Sequence, residues 1–317
     1  MLGYLSMDSI VKNKHEINGL TGNEFNKDKD GNSFSVTRQT KTKIDPGPAH
    51  ESENMLTQMM NKNGEIDMSG FVRDYAMRLK DWTPSMINKQ LPTVMSYYTG
   101  AELPVTDYLA RQFAICNQWF CSHAGPTLTN RFITLHGDVL ITDEGRIFEN
   151  HPEHFKDFRP VQQKTLFDHL SEKKVSWNYF ETEYCTLRLY GKYTFDMDNV
   201  VAMEEFYKKA ADGQLPSVSF IDPDFIDIPP GNDDHPPADM RRGQKLMYDI
   251  IKALQESPKW NKTLLLITYD ENGGFYDHVP PTSLAANERF STNEATYGPR
   301  VPTFVISPYV PHEKNFI

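Results

Sequence analysis

Two adjacent carboxylates, Asp270 and Glu271, follow directly on the apolar run Leu264-Leu265-Leu266-Ile267-Thr268-Tyr269. Neighbouring acids at the carboxyl end of a buried strand repel each other, and partial burial raises the cost of keeping both charged. A divalent cation resolves that conflict, because carboxylate oxygens suit hard cations and also zinc in mixed sites. Gly273-Gly274 then lets the backbone turn tightly, and His278 is placed to return to the same site as a phosphate or substrate contact. The alternative is a strand end with two solvated acids before a turn. The apolar strand, the two glycines and Asp277-His278 together favour the metal reading.

A second acid-imidazole group, Asp233-Asp234-His235-Pro236-Pro237, follows Ile228-Pro229-Pro230-Gly231 on a constrained loop. Asp and His neighbours either ligate metal or pair as acid and orienter. A solvated proline-rich loop is the other reading. A third candidate is a hydroxyl at a helix start, in Gly125-Pro126-Thr127-Leu128-Thr129-Asn130-Arg131. Such a residue commonly only caps its helix. The same position also faces backbone N–H groups that attract phosphate, and a metal-activated alcohol there is a nucleophile. Arg131 offers a planar fork for a phosphate oxygen, although a surface salt bridge is the commoner use of an arginine.

These groups need a scaffold. The spacing of apolar residues predicts two helices within Met55–Lys80, one around Tyr108, Leu109 and Phe113, one over Thr127–His136 and one over Thr165–Ser171. The clearest helix is Asp239–Gln255, with Leu246, Ile250, Ile251 and Leu254 on one stripe. Strands are predicted at Ile115–Phe120, Val175–Phe180, Ser217–Ile221, Leu264–Tyr269 and Val301–Ser307. The 264–269 run is apolar throughout, as a central parallel strand is. Residues 1–60 read as loops, with turns at Asp30-Gly31-Asn32 and Asp45-Pro46-Gly47-Pro48. Alternating strands and helices give an α/β fold, a mostly parallel sheet covered on both faces. A single domain over 1–317 is the simplest organisation, with 138–200 as a cap or insertion.

Composition narrows the function classes. The net charge of −10 argues against a nucleic-acid surface. It leaves phosphate chemistry open, because a bound cation inverts the local field. No apolar run reaches the ~18 residues of a membrane-spanning helix. Cys116, Cys121 and Cys185 form no CxxC pair, so zinc-finger and thioredoxin readings have no support.

Taken together, these segments resemble the bacterial phosphoesterase family that contains phosphatidylcholine-type phospholipases C and acid phosphatases. The resemblance is carried by Gly125-Pro126-Thr127 with Asn130-Arg131, by Asp234-His235-Pro236-Pro237, and by Asp270-Glu271 with Gly273-Gly274-Phe275-Tyr276-Asp277-His278-Val279. Arg300-Val301-Pro302 through Tyr309, Ile17–Gly22 and Asp45-Pro46-Gly47 with His50 also match. It implies an alkaline-phosphatase-like three-layer α/β/α fold and a divalent metal ion of unspecified identity. It further implies Thr127 as the nucleophile of a phospho-threonine intermediate, with Asp270 and Glu271 as metal ligands. Asp234 and His235 would lie by metal and phosphate, His50 would contact the transferred group, and Asn130 would support the motif. The implied activity is phospholipase C action on choline phospholipids, with contact to a lipid surface and export to the periplasm or beyond. A broad acid phosphatase is the near alternative, and an inactive metal- or phosphate-binding module is the alternative of another class. Tyr179, Phe180, Tyr184 and Tyr190 are the aromatic residues available for a choline cage or for core packing.

The sequence departs from the family pattern at both ends. Family members carry a Glu-Asn-Arg-Ser-Phe-Asp-His segment, after a first central strand, ahead of a stretch like Met1–Leu5. They also continue past the 301–307 strand. The expectation is a fold incomplete at both ends, with exposed edges on the two strands that flank the absent one.

Overall fold

The computed structural model describes residues 1–11, 16–156, 158–225, 231–281 and 297–310. The loop residues Ile228-Pro229-Pro230, used above to read the Asp234 segment, lie outside them. The first strands, β1 (Phe25–Lys27) and β2 (Ser33–Ser35), form an antiparallel hairpin. Its turn is the one signalled by Asp30-Gly31-Asn32, and Asp28 accepts from the amides of Asp30 and Asn32. Next come β3 (Thr37–Arg38), α1 (Ser52–Met59), α2 (Phe71–Arg78), α3 (Pro84–Gln90) and β4 (Ser96–Tyr97). The two helices predicted within Met55–Lys80 are α1 and α2, which bury Met55, Met59, Phe71, Val72 and Tyr75 against each other.

The chain continues through α4 (Pro104–Gln112), β5 (Ala114–Ile115), α5 (Thr127–His136), α6 (Leu166–Glu172) and β6 (Trp177–Glu181). Helix α5 matches its predicted span and ends on Gly137, whose φ of 83° is the left-handed conformation of a helix C-cap. Helix α6 opens with a capping box: Thr165 accepts from the Asp168 amide, and Asp168 accepts from the Thr165 amide. The strand predicted over Ile115–Phe120 stops after two residues. The Asn117 side chain takes up the Glu16 carbonyl and the Asn18 amide, drawing the chain out of the ladder. Phe120 returns only as an isolated bridge to Arg300.

The final elements are β7 (Val200–Ala202), α7 (Met203–Ala211), β8 (Val218–Ile221), α8 (Met240–Glu256), β9 (Leu265–Thr268) and β10 (Thr303–Ile306). Asp239 caps α8 by accepting from the Arg241 amide. The buried stripe of α8 includes Met247, Ile250, Ile251 and Leu254, whereas Leu246, predicted in that stripe, is only partly buried.

The α/β organisation is as expected, but strands β5 to β10 form two separate three-stranded sheets, beside the two-stranded pairs β1-β2 and β3-β4. One is parallel, in the order β7-β6-β8. The other is antiparallel, in the order β5-β10-β9. Strand β9 is therefore not a central parallel strand. It pairs antiparallel with β10 on one side, and among the described residues nothing pairs with its other edge. Among the described residues, strand β8 likewise pairs only with β6.

Side chains alternate across a strand, so β6 shows which helices lie on which face. Trp177 and Tyr179 join one core with Leu128 and Phe132 of α5 and Phe167 of α6. Phe180, pointing the other way, joins another core with Phe206 of α7 and Ile250 and Leu254 of α8. Helices α5 and α8 therefore cover opposite faces of the parallel sheet. Met247 and Ile251 of α8 also pack with Phe304 and Ile306 of β10, so α8 ties the two sheets together. The 138–200 stretch supplies β6, the middle strand of the parallel sheet, as well as loops.

Candidate functional site

Helix α5 begins at Thr127, and its N-cap Pro126 offers no capping side chain. The Thr127 hydroxyl, half-buried, makes no hydrogen bond with a described residue and faces a cavity of about 1020 Å³. The cavity is also lined by Asp234, His235, Asp270, Glu271 and His278. Asn130 is buried and shapes the turn into the helix. It accepts from the His123 amide at 2.8 Å and donates to the carbonyls of Gly125 (2.9 Å) and His123 (3.1 Å). The amide of Leu128 is taken by Asn150 at 3.1 Å, so not every N–H at this helix start is available to a phosphate.

Asp270 and Glu271 leave the carboxyl end of β9 in different surroundings. Asp270 accepts from the Arg131 guanidinium at 2.8 Å. Glu271 is 7% exposed and accepts from the Gly273 amide at 2.5 Å. Burial pushes the Glu271 carboxyl up to about 8, and the charges of Asp270 and Glu51 add to this against the Gly273 amide and His235. The loop after β9 packs on the segment that carries His50. A Cβ at Gly274 would lie 2.4 Å from the Ala49 carbonyl oxygen.

His50 and His235 meet edge to face, their Nε2 atoms 3.2 Å apart. His235 Nδ1 is buried without a hydrogen-bond partner, and so is Asp234 Oδ1. The other Asp234 oxygen accepts from the Tyr269 hydroxyl at 2.5 Å. Burial pushes the Asp234 carboxyl up to about 6, with Asp233 adding and the Tyr269 hydroxyl opposing. Only glycine fits beside it, because a Cβ at Gly243 of α8 would sit 2.2 Å from Asp234 Oδ1.

His278 is held elsewhere on the cavity wall. Its ring faces Asn18 Oδ1 at 3.3 Å and Asp277 at 3.5 Å, and Asp277 is gripped by both arms of Arg300. Burial lowers the His278 pKa, against the pull of Asp277. The structure thus brings Thr127, Asp234, His235, Asp270 and Glu271 to one cavity, with His50 joined through His235. It ties His278 to a different set of partners.

Arg131 is not a surface salt bridge. Its side chain is 15% exposed. It donates to Asp270 at 2.8 Å and to Asp222, the residue after β8, at 2.7 Å, and Phe225 lies against its guanidinium at 4.3 Å. Asp222 also accepts from the Tyr179 hydroxyl at 2.6 Å. One arginine therefore ties the carboxyl ends of β8 and β9. Asp222 was legible only as a strand terminus followed by proline. The signal that could have raised it is symmetry with Asp270, since each is a carboxylate just past the end of its strand.

Sequence reasoning also missed Glu51, Glu149 and His151, whose ligand atoms lie within 4.8 Å of one another. Glu149 contacts His151 at 3.2 Å and accepts from the Ser52 hydroxyl, which faces buried His123 at 3.1 Å. These three residues come from two distant loops, so no spacing announces them. Among the described residues, Glu51, Glu149 and His151 are the one group of three donors close enough to share a divalent ion, whereas both Asp270 oxygens are already engaged, by Arg131 and by the Glu271 amide. Asp234 Oδ1, His235 Nδ1 and Glu51 Oε2 are buried oxygen and nitrogen atoms without a hydrogen-bond partner among the described residues.

Together these features define a mixed α/β protein with an acid- and imidazole-rich cavity at strand carboxyl ends, the usual ligand position of such sheets. The pattern of the Phosphoesterase family matches residues 1–315, and the chain belongs to that family. It is 34% identical over 315 residues to non-specific phospholipase C6 of Arabidopsis thaliana, covering 93% of this chain and 56% of the relative. It is 26% identical over 280 residues to phospholipase C B of Mycobacterium tuberculosis, covering 72% and 51%. The chain thus spans about half the length of the curated relatives it matches. Among solved structures, a protein in the alkaline phosphatase superfamily from Vibrio parahaemolyticus aligns with TM-score 0.38 and 14% identity over 68% of this chain and 56% of its own. A likeness that low carries no argument. No helix among the described residues is long and apolar enough to cross a membrane.

Proposed function

We propose that this chain carries the phosphoryl-transfer site of a metal-dependent phosphoesterase acting on phospholipids in the manner of a phospholipase C. The observation that carries the reading is the unbonded Thr127 hydroxyl at a helix start, facing the same cavity as Asp270, Glu271, Asp234 and His235. Family membership and phospholipase C relatives support it.

In the proposed reaction Thr127 Oγ1 attacks phosphorus and the ester oxygen of the alcohol leaves in line. With phosphatidylcholine the leaving alcohol is diacylglycerol, and water then displaces phosphocholine from Thr127. The facing imidazoles of His50 and His235 would hand a proton to the leaving oxygen. Asn130 keeps the 123–126 turn in shape, so that the helix start presents the hydroxyl. Asp270 and Glu271 would hold the ion, with Asp234 and His235 beside it, and a bound divalent cation would supply Lewis acidity that makes an alcohol nucleophilic at neutral pH. Charge on the equatorial oxygens is what such a site must stabilise.

Choline recognition does not rest on the aromatic residues named above. Tyr179, Phe180 and Tyr190 are core residues, at 1%, 0% and 1% exposure, and only Tyr184 reaches the surface. Diester hydrolysis is favoured by the relatives' names, with phosphomonoester hydrolysis second. Export and contact with a lipid surface belong to the same proposal. The test compares release of phosphocholine from phosphatidylcholine vesicles with hydrolysis of an aryl phosphate, in the presence and absence of a chelator. Diester cleavage abolished by chelator supports the reading. Preference for the aryl ester makes the protein a phosphatase, and stoichiometric metal binding without turnover of either makes it a binding module.

A further inference from the structure

A second group of donors sits by the start of α5, apart from the Asp270-Glu271 pair. Glu51, Glu149 and His151 each bring a ligand atom within 4.8 Å of the others. Carboxylates that close repel each other unless positive charge lies between them. Glu51 is the N-cap residue of α1, yet its side chain caps no amide. Its Oε2 is instead buried with no hydrogen-bond partner among the described residues. Burial raises the Glu51 pKa against the pull of His50 and His151, and the charges of Glu149 and Glu53 add to the rise. Glu149 is 13% exposed and held on several sides. Its amide donates to His154 Nδ1 at 2.9 Å, the Ser52 hydroxyl donates to its Oε1, and its Oε2 lies 3.2 Å from His151 Nε2. A protonated His151 would balance one carboxylate and leave Glu51 Oε2 unanswered. The group reaches the helix start through two neighbours. Asn150, between Glu149 and His151, accepts from the Leu128 amide at 3.1 Å. A Cβ at Gly125 would lie 2.6 Å from Ser52 Oγ, so the turn before Thr127 closes directly on Ser52.

We propose that Glu51, Glu149 and His151 form a second divalent-cation site, one that orders the 149–154 loop and, through Asn150, the start of α5. Two carboxylates with an imidazole suit a zinc-like transition ion, whereas magnesium and calcium take oxygen ligands. Three protein ligands leave a fourth position for water. The Ser52 hydroxyl on Glu149 and the Glu149 amide on His154 are contacts of the kind that fix ligating side chains. One ion satisfies Glu51 Oε2 and cancels the repulsion between the two acids. It is distinct from the cation that Asp270 and Glu271 would hold, because it uses none of their atoms. Binding of the ion does not depend on the phosphoesterase reading. Its use there, in steadying the helix start that presents Thr127, rests on that reading.

The probe is cobalt(II), a spectroscopic substitute for zinc, titrated into chelator-treated protein and followed by its visible absorption. Glu271→Gln disables the other candidate site and is expected to retain saturable cobalt binding. Adding Glu149→Gln or His151→Gln to that background should weaken binding by about tenfold or more. The His151 side chain is 38% exposed, so its replacement should leave the circular dichroism unchanged. His151→Cys, on the same background, locates the ion. It should keep cobalt and gain a near-ultraviolet thiolate-to-cobalt band that the His151 protein lacks. Hydrogen exchange at the start of α5 and over residues 149–154 should slow when zinc is added. Absence of saturable binding in Glu271→Gln overturns the inference, as does parental affinity in the Glu149 and His151 variants. So does a His151→Cys protein with no charge-transfer band, and unchanged exchange overturns the link to α5. None of these readouts involves turnover, so failure of the phosphoesterase reading leaves them unaltered.

Discussion

The two sheets of this molecule differ in how fully their strands are used. In the parallel sheet, all five residues of β6 are buried, and the strand has a partner on each side. In the antiparallel sheet, β9 is at least as apolar in sequence, yet alternate residues are exposed and one edge has no partner among the described residues. An apolar run records the environment a strand requires. Whether that environment is present depends on other segments. The candidate site lies where the two sheets face each other, and Arg131 and α8 span the difference.

The comparison is broken most severely at its bridge. Arg131→Met leaves buried Asp222 and partly buried Asp270 without their counter-charge. Removing one partner of a buried ion pair costs about 3–5 kcal/mol, and urea unfolding should show a midpoint shift of that size. A shift below about 1 kcal/mol would mean that the sheets are held together elsewhere, by α8 alone.

Equivalent truncations in the two sheets sharpen the contrast. Phe180→Ala in β6 empties a fully buried site and should cost about 3–5 kcal/mol. Leu266→Ala in β9 removes a side chain that is 55% exposed and should fall within about 0.5 kcal/mol of the parent. Similar losses at both positions would show that β9 is covered in solution. At the cavity wall, Gly243→Ala forces a methyl group against Asp234 Oδ1 and should destabilise by about 1–3 kcal/mol. A neutral result in the same unfolding experiment would show that Asp234 swings free of α8.

The smallest effect lies on the α6 side of the parallel sheet. Burial alone would raise the Asp168 pKa, but Lys192 and the Thr165 amide and hydroxyl outweigh it and bring the carboxyl from 3.8 down to about 2. A depressed folded pKa means that the ionised group stabilises the fold above about pH 4, and that this contribution is lost as pH falls toward 2. The stability difference between the parent and Asp168→Asn, followed by urea midpoint, should therefore be constant near neutrality and shrink as pH drops below 4. A difference independent of pH would contradict the ion pair with Lys192.

Much of the architecture was legible because it follows from local pattern. Helix α5 could be read from Gly125-Pro126 at its start and Gly137 at its end, and α8 from its apolar stripe. Strand pairing was less legible. Nothing in Leu264–Tyr269 reveals that β9 runs against an antiparallel neighbour, since period and composition do not encode direction. For the site, the acid pair and the helix-start hydroxyl stood out by residue type and by resemblance. Arg131 was readable as a phosphate fork or a surface salt bridge, but not as a tie between Asp222 and Asp270, because one arginine in a helix looks the same whether it faces solvent or two carboxylates. The Glu51, Glu149 and His151 group was invisible for a similar reason, as its members meet only after two loops fold together.

The central claim is that Thr127 takes the phosphoryl group. The most direct measurement is acid quenching of the protein during incubation with phosphatidylcholine and divalent metal, followed by mass spectrometry of the peptide containing residues 125–131. The account predicts a phosphocholine group on Thr127 in the parent and none in Thr127→Ala, which should also lose turnover. Phosphocholine on another residue, or full turnover in the alanine variant, would contradict it.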